Sequence, residues 1–393
     1  MGAGMTGMNT AIVSNFGAGG SLLYLQQFAG ALRRKNYPVV YYLPENARLD
    51  IKDNVLCRFV LRDPSTCPPF WKAKAIRYPY HLFKYFVNAM TLRPERHLKV
   101  IHILFPFYLT DWIMVDRLKR RGLKVILTVH EVFPHKVFLG GKIDRRLLEK
   151  LYGNADLLFV HADSLRDELI DLYPIDGRRI RVVPHGSFDM PESSANVATL
   201  KKRYRVPVDR KVLLFFGTVR ENKGLDILLS ALPELKDEFF LLITGDISEA
   251  AESSIKHYER IIESEGLTES VNWIRRFVSD EEVSEVFRIA DAVALPYKKS
   301  FHAQSGVLHL SINYEKPCIV SDVGAIGGTV RDYDLGLVVR PEDPAAFRCG
   351  IKALFKKLDR KYFFNFRKCK EENNWDEIVN KAISAYNELS LKK

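Results

Sequence analysis

At 393 residues the chain is too long for one comfortable hydrophobic core and suits two domains of average size. Its 47% hydrophobic and 27% charged residues exclude disorder as the default state. The formal net charge of +11 lies wholly in the first half, where residues 1–190 hold 28 Lys and Arg against 17 Asp and Glu, while the remainder is balanced at 31 against 31.

Such asymmetry points the first half toward something anionic. Five cysteines, odd in number and without a close C-x-x-C pair, argue against a disulfide framework or zinc site and fit a reducing cytoplasm. The opening "MGAGMTGMNTAIVSNFG" has no basic region before a long apolar run, so no signal peptide is expected. The most apolar stretch, 100–115, is broken by Pro106 and Asp111 and falls short of the roughly 20 residues a bilayer requires.

Taken in chain order, apolar runs at 10–16, 38–44, 55–61, 99–104, 124–130, 155–162 and 180–186 predict strands, several apolar on consecutive positions as in sheets covered on both faces. The first leads into "NFGAGGS". Gly17 and Gly19 give G-x-G, but Leu22 fills the third glycine slot, which weakens a NAD reading. Gly19 and Gly20 still permit backbone N–H groups to approach an anion or sugar at a helix N-terminus. Residues 71–100 hold seven Lys and Arg and one Glu, interleaved with Trp71, Tyr78, Tyr80, Phe83, Tyr85 and Phe86. That mixture suits the headgroup layer of an anionic membrane. Leu82, Phe86 and Met90 equally suit the buried stripe of an ordinary helix.

The polar stretch 188–210 is expected to be a linker, after which the pattern restarts. Strands are expected at 211–217, 239–246, 271–277, 291–297 and 317–324, with helices at 223–235 and 280–290, the latter capped by Ser279 or Asp280. The amphipathic segment 375–389 closes the chain. Two doubly wound domains would place their ligand-binding strand ends across a cleft. In "FFGTVRENKG" the cations Arg220 and Lys223 converge near a helix start, a plausible diphosphate site without the spacing of a P-loop. Gln304-Ser305-Gly306 opens another helix and offers free N–H groups there, unless Ser305 is simply its N-cap.

The order of "NFGAGGS", "TVHE" (128–131), "RVVPHGSF" (181–188), "FFGTVRENKGLDILLSAL" (215–232), "ADAVALPY" (290–297) and "KPCIVSDVGA" (316–325) resembles the family 4 retaining glycosyltransferases. The resemblance implies the α/β glycosyltransferase B fold: two facing Rossmann-like domains, an acceptor-binding domain over 1–190 and a nucleotide-sugar-binding domain over 191–372. A C-terminal helix, 373–393, would cross back to the first domain. It implies that Lys223 contacts the donor diphosphate. Thr218 occupies the slot of the family arginine, and Arg220 stands as its substitute. Ser305 and Gly306 would share the diphosphate, His302 and Gln304 would meet the donor sugar, and Gly19 and Gly20 would line the cleft. His130 matches the family histidine that reaches the donor sugar and is the catalytic candidate, whereas His185 reads as structural.

Where the family commonly carries two glutamates eight positions apart, this chain has His302 and Leu310, in the manner of a family branch with Gln-Ser-Gly. The implied activity is retaining transfer of a hexose from a UDP- or GDP-sugar to a saccharide or lipid-linked saccharide acceptor, in cell-surface polysaccharide or glycolipid assembly. The resemblance implies no cofactor and no metal, consistent with the lack of an acidic pair spaced to chelate one. Expected partners are the donor, the acceptor and an anionic membrane surface, with a cytoplasmic or inner-face location. A catalytically inactive binding protein and a nucleotide-sugar epimerase of the same fold are the alternatives. Nucleic acid is not an expected partner, given the balanced charge of the second half and the lack of a binding motif.

Overall fold

Consecutive apolar, β-branched residues make strands wherever both faces can be covered, and the computed structural model shows two sheets built this way. It describes residues 8–17, 19–49, 56–64, 66, 74–134, 137–188, 190, 192–245 and 252–392. Trp71 and Cys67 therefore lie outside the described residues. The chain divides into two units, Met1–Gly186 with Asn373–Lys393, and Ser187–Glu372.

The first unit carries β1 (Thr10–Val13), β2 (Val39–Pro44), β3 (Leu56–Leu61), β4 (Val100–Ile103), β5 (Lys124–Val129), β6 (Leu157–Val160) and β7 (Ile180–Val182). All are parallel, in the order β3-β2-β1-β4-β5-β6-β7, with Thr10 opposite both Val39 and Val100. β1, β2, β4 and β6 are buried along their whole length. The helices are α1 (Gly19–Arg34), α2 (Lys74–Thr91), α3 (Asp111–Arg120), α4 (Gly141–Asn154) and α5 (Asp163–Leu172). On α2 the residues turned inward are Lys84, Tyr85, Asn88 and Ala89. Leu82, Phe86 and Met90 are 40%, 43% and 42% exposed, so the stripe that sequence offered as a buried face points to solvent. Asn88 explains the choice of face, because its side chain bonds both the N–H and the carbonyl of Arg62 (2.8 and 2.9 Å) and also reaches Asn15. Among the described residues no helix is long and apolar enough to cross a membrane.

The expected linker 188–210 contains a helix, α6 (Val197–Arg203). Asn196 caps it by accepting from the N–H groups of Ala198 and Thr199, and Leu200 anchors it in the core. The second unit continues with β8 (Lys211–Phe216), α7 (Leu225–Ala231), β9 (Phe239–Gly245), α8 (Glu252–Ser264), β10 (Val271–Arg275), α9 (Asp280–Ile289), β11 (Ala292–Leu295), α10 (Gly306–Asn313), β12 (Cys318–Ser321), α11 (Gly324–Asp332), β13 (Gly336–Val339), α12 (Pro344–Asp359) and α13 (Phe366–Glu372). Its parallel sheet runs β10-β9-β8-β11-β12-β13. Ser279 and Glu282 form a reciprocal capping box on α9. α7 is shorter than expected because Pro233 cannot continue it and Gly224 precedes it in the left-handed region.

The last helix, α14 (Trp375–Leu391), packs on α1 of the first unit. Trp375, Ile378, Val379, Ala382 and Tyr386 are buried, each large side chain contributing about 1.5–3 kcal/mol. A Cβ at Gly186 would lie 2.3 Å from the Trp375 ring, so that position must be glycine for the indole to seat. The Tyr386 hydroxyl lies 2.6 Å from His102 Nδ1, and His102 Nε2 lies 2.7 Å from the Thr128 hydroxyl. Burial holds this imidazole down to a pKa of about 3 and hence neutral.

Candidate active site

In the second unit's sheet the neighbours β8 and β11 send their crossovers to opposite faces, which opens a crevice at their C-terminal ends. The loop after β8 supplies Arg220 and Lys223, and the loop after β11 supplies His302, Gln304 and Ser305. The two loops are seated on each other. Lys298 N–H donates to the Asn222 carbonyl at 3.0 Å, and Gly224, with φ 65°, brings its backbone so near that a Cβ would sit 1.8 Å from the Pro296 oxygen.

Lys223 is half-buried. Its ammonium donates to the Tyr297 hydroxyl at 2.5 Å and stands over the Tyr297 and Phe301 rings, 4.1 and 5.5 Å from their centroids. Burial, with Arg220 adding like charge, pushes its pKa down to about 7. Among the described residues no carboxylate pairs with Lys223 or with the exposed Arg220. Two cations without a carboxylate partner thus present positive charge at a strand-end crevice.

Ser305 precedes α10 but does not cap it. Its hydroxyl instead lies 3.0 Å from the Tyr297 hydroxyl, which leaves the N–H groups of the first turn, from Gly306 on, without a side-chain cap. Gln304 Oε1 is buried without a hydrogen-bond partner among the described residues. His302 is half-buried in the same loop, and Leu310 is buried within α10, where no ribose hydroxyl could find an acceptor. Tyr297 escapes a reading by sequence because a tyrosine after "AVALP" looks like core, and it is indeed 1% exposed.

Gly19, Gly20 and His130 belong to the first unit. The two glycines form the exposed first turn of α1, and Tyr24 of that helix meets His130 edge-on at 5.2 Å. His130 is held on both nitrogens: Nε2 lies 2.9 Å from the Leu104 carbonyl and Nδ1 lies 3.0 Å from His161 Nε2. His161 Nδ1 in turn lies 2.9 Å from the Val183 carbonyl. Three contacts, two of them to carbonyls that only accept, call for three ring protons. Burial lowers both histidines, His161 to about 4, so at neutral pH two protons serve the three contacts. Phe105 stacks on the His130 ring at 4.6 Å. His185 is buried in the turn after β7, with Nδ1 2.9 Å from the Gly186 carbonyl. The role of His161 went unread, although the repeated Val-His at the ends of β5 and β6 was a usable signal.

A cavity of about 190 Å³ adjoins His130 in this unit. A groove of about 650 Å³ follows the edge strand β13 in the other and is lined by none of the residues above. Among the described residues no group of three His, Cys, Asp or Glu is placed to hold a metal ion.

The family model "Glycosyltransferase Family 4" matches residues 18–187, and "Glycosyl transferases group 1" matches residues 196–365. Relatives named D-inositol 3-phosphate glycosyltransferase include those of Xylanimonas cellulosilytica, 26% identical over 62% of this chain and 60% of that protein, and Acidothermus cellulolyticus, 26% identical over 86% and 78%. The match thus spans less than two thirds of the Xylanimonas relative and 56% of a Salinispora arenicola one. Among solved structures, Anabaena HepE in complex with UDP superposes with a TM-score of 0.71 at 14% identity, covering 96% of this chain and 100% of that one. Sucrose-phosphate synthase from Thermosynechococcus elongatus gives 0.73 at 17%, covering 97% and 99%. These neighbours assign the glycosyltransferase B fold. With matches that run from residue 18 to residue 365, the chain belongs to the glycosyltransferases, of family 4 in its first half and group 1 in its second.

Proposed function

We propose that the protein transfers a sugar from a nucleotide-sugar donor to a saccharide acceptor, the second unit holding the donor and the first the acceptor. The observation that carries this reading is the unpaired cation pair Arg220 and Lys223 beside the uncapped first turn of α10. There a diphosphate would meet two positive charges and oriented N–H groups. The UDP and UDP-glucose complexes of Anabaena HepE support a nucleotide sugar as the ligand class. As the glycosidic bond breaks, charge develops on the leaving diphosphate, and these groups stabilise it without reorganising. We assign Gln304 and His302 to the sugar, His130 to catalysis, the Gly19-Gly20 turn to the acceptor side, and no metal to the diphosphate. Retention follows if the leaving phosphate itself takes the acceptor proton.

A calorimetric panel of UDP, GDP, dTDP and ADP with their sugars tests the donor site, and Lys223→Ala should weaken the preferred nucleotide by about ten- to a hundredfold. Wild-type affinity in that variant would sink the assignment. Burial of Leu310, where the family's second carboxylate would stand, favours one competing reading, a binding protein that does not turn its donor over. Release of free nucleotide in the presence of acceptor excludes it, and consumption of donor without acceptor would indicate an epimerase. Peripheral contact with an anionic membrane is supported by the exposed Ile76, Phe83 and Phe86 on α2 within a basic unit. Cosedimentation with phosphatidylserine vesicles at low salt, lost at high salt, is the expected result.

A further inference from the structure

The cavity of about 190 Å³ lies at the C-terminal ends of β4 and β5 in the first unit. Phe16, Phe105, Phe107, Leu148, Leu151 and Tyr152 are among the residues that form its wall. No Lys or Arg is among its lining residues, and its one carboxylate is Glu131. A cavity of about 150 Å³ with comparable walls admits a benzene ring, so this one has room for a group of about six to eight carbons. A phosphate would enter without a cation to pair with, and a bare hexose would meet polar side chains, Tyr108, Thr128, His130 and Tyr152, whose hydrogen bonds are already made within the protein.

The apolar surface does not stop at the mouth. Phe138 lies 6.0 Å from Phe107 and 6.4 Å from the lining Tyr108, centroid to centroid, and is itself 43% exposed. Val137, Leu139 and Ile143 beside it are about half exposed. The rim is a fixed structure, because the buried Asp144 accepts from the Tyr108 hydroxyl at 2.8 Å and from Leu139 N–H at 3.2 Å. Lys142 is the exposed sequence neighbour of Ile143 at the start of α4.

We propose that the cavity takes the first carbons of an aliphatic aglycone whose remaining chain lies over Val137, Phe138, Leu139 and Ile143. The acceptor is then an alkyl- or isoprenoid-linked saccharide and not a phosphorylated polyol. This rests on the reading of the first unit as the acceptor side. It also sets this chain apart from the relatives named for inositol 3-phosphate.

The test compares binding of octyl glucoside below its micellar concentration, methyl glucoside and inositol 3-phosphate to the full chain. Octyl glucoside should bind about tenfold or more tighter than methyl glucoside. Phe138→Ser, at the exposed rim, should reduce that preference severalfold with the fold intact by circular dichroism, and Leu148→Trp, which fills the cavity, should abolish it. Equal affinity for the two glucosides, or displacement of octyl glucoside by inositol 3-phosphate, overturns the proposal. UDP binding, measured in the same samples, reads the donor assignment separately. Nucleotide binding without alkyl preference leaves the transferase reading standing and removes the aglycone, and alkyl preference without nucleotide binding does the reverse.

Discussion

Lys223 shows how a buried charge can report on its ligand. Its pKa of about 7 in the free protein stands against an ordinary 10.5, and an anion at the site would raise it again. Nucleotide binding should therefore take up a proton above pH 7, and affinity should fall as pH rises past 7, by up to about tenfold per unit. Calorimetry in buffers of different ionisation enthalpy checks the uptake, and an affinity flat from pH 6 to 9 would contradict it. Tyr297→Phe deletes the hydroxyl that both Lys223 and Ser305 engage and should cost about 1 kcal/mol of stability while weakening nucleotide binding. At this scale the residues of the proposed donor site were legible through their charge: Arg220 and Lys223 stood out beside glycines. The sequence was unreadable where a polar atom rides on an apolar body. Tyr297 bonds through its hydroxyl and His161 through its two ring nitrogens, on side chains that otherwise pack like core.

Strand positions in the first unit were legible because burial on both faces leaves unbroken apolar runs. Their C-terminal ends were overestimated, as at 10–16 against Thr10–Val13, since apolar residues continue into loops that line the crevices. α6 was hidden by its lysines and arginine, and the four half-buried residues of β13 gave no strand signal. Loop seating yields a contrast between two substitutions. Gly224→Ala meets both a left-handed φ and the Pro296 oxygen, so it should lower the stability of the second unit by about 2 kcal/mol or more and abolish nucleotide binding. Ser279→Ala breaks the α9 capping box for about 1 kcal/mol and should leave binding unchanged. Urea titrations with and without UDP separate the two. Equal effects would mean that the loops are not mutually seated.

For the whole molecule, acid should act unevenly. His102, His130 and His161 all titrate below their ordinary value inside the first unit, so its unfolded form binds more protons as pH falls below about 6.5. Asp111, pushed up to about 7 by burial, opposes this by one proton. With about two protons favouring unfolding, stability should fall by up to about 2–3 kcal/mol per pH unit between 6 and 4. These four groups all lie in the first unit, which should therefore lose stability first in acid. Fluorescence of Trp112 and Trp375 against that of Trp273 distinguishes the two transitions, and simultaneous loss would count against this ledger.

The path of the backbone through the two units adds a constraint in time. Ser187–Glu372 is one continuous piece, whereas α14 returns to the unit that began the chain. On a ribosome the earlier unit would therefore emerge with the seats of Trp375 and Tyr386 vacant, leaving Tyr24, Phe28 and His102 uncovered while some two hundred further residues are made. The part translated first is the part completed last, and during that interval the nascent chain presents an aromatic surface that a chaperone could hold.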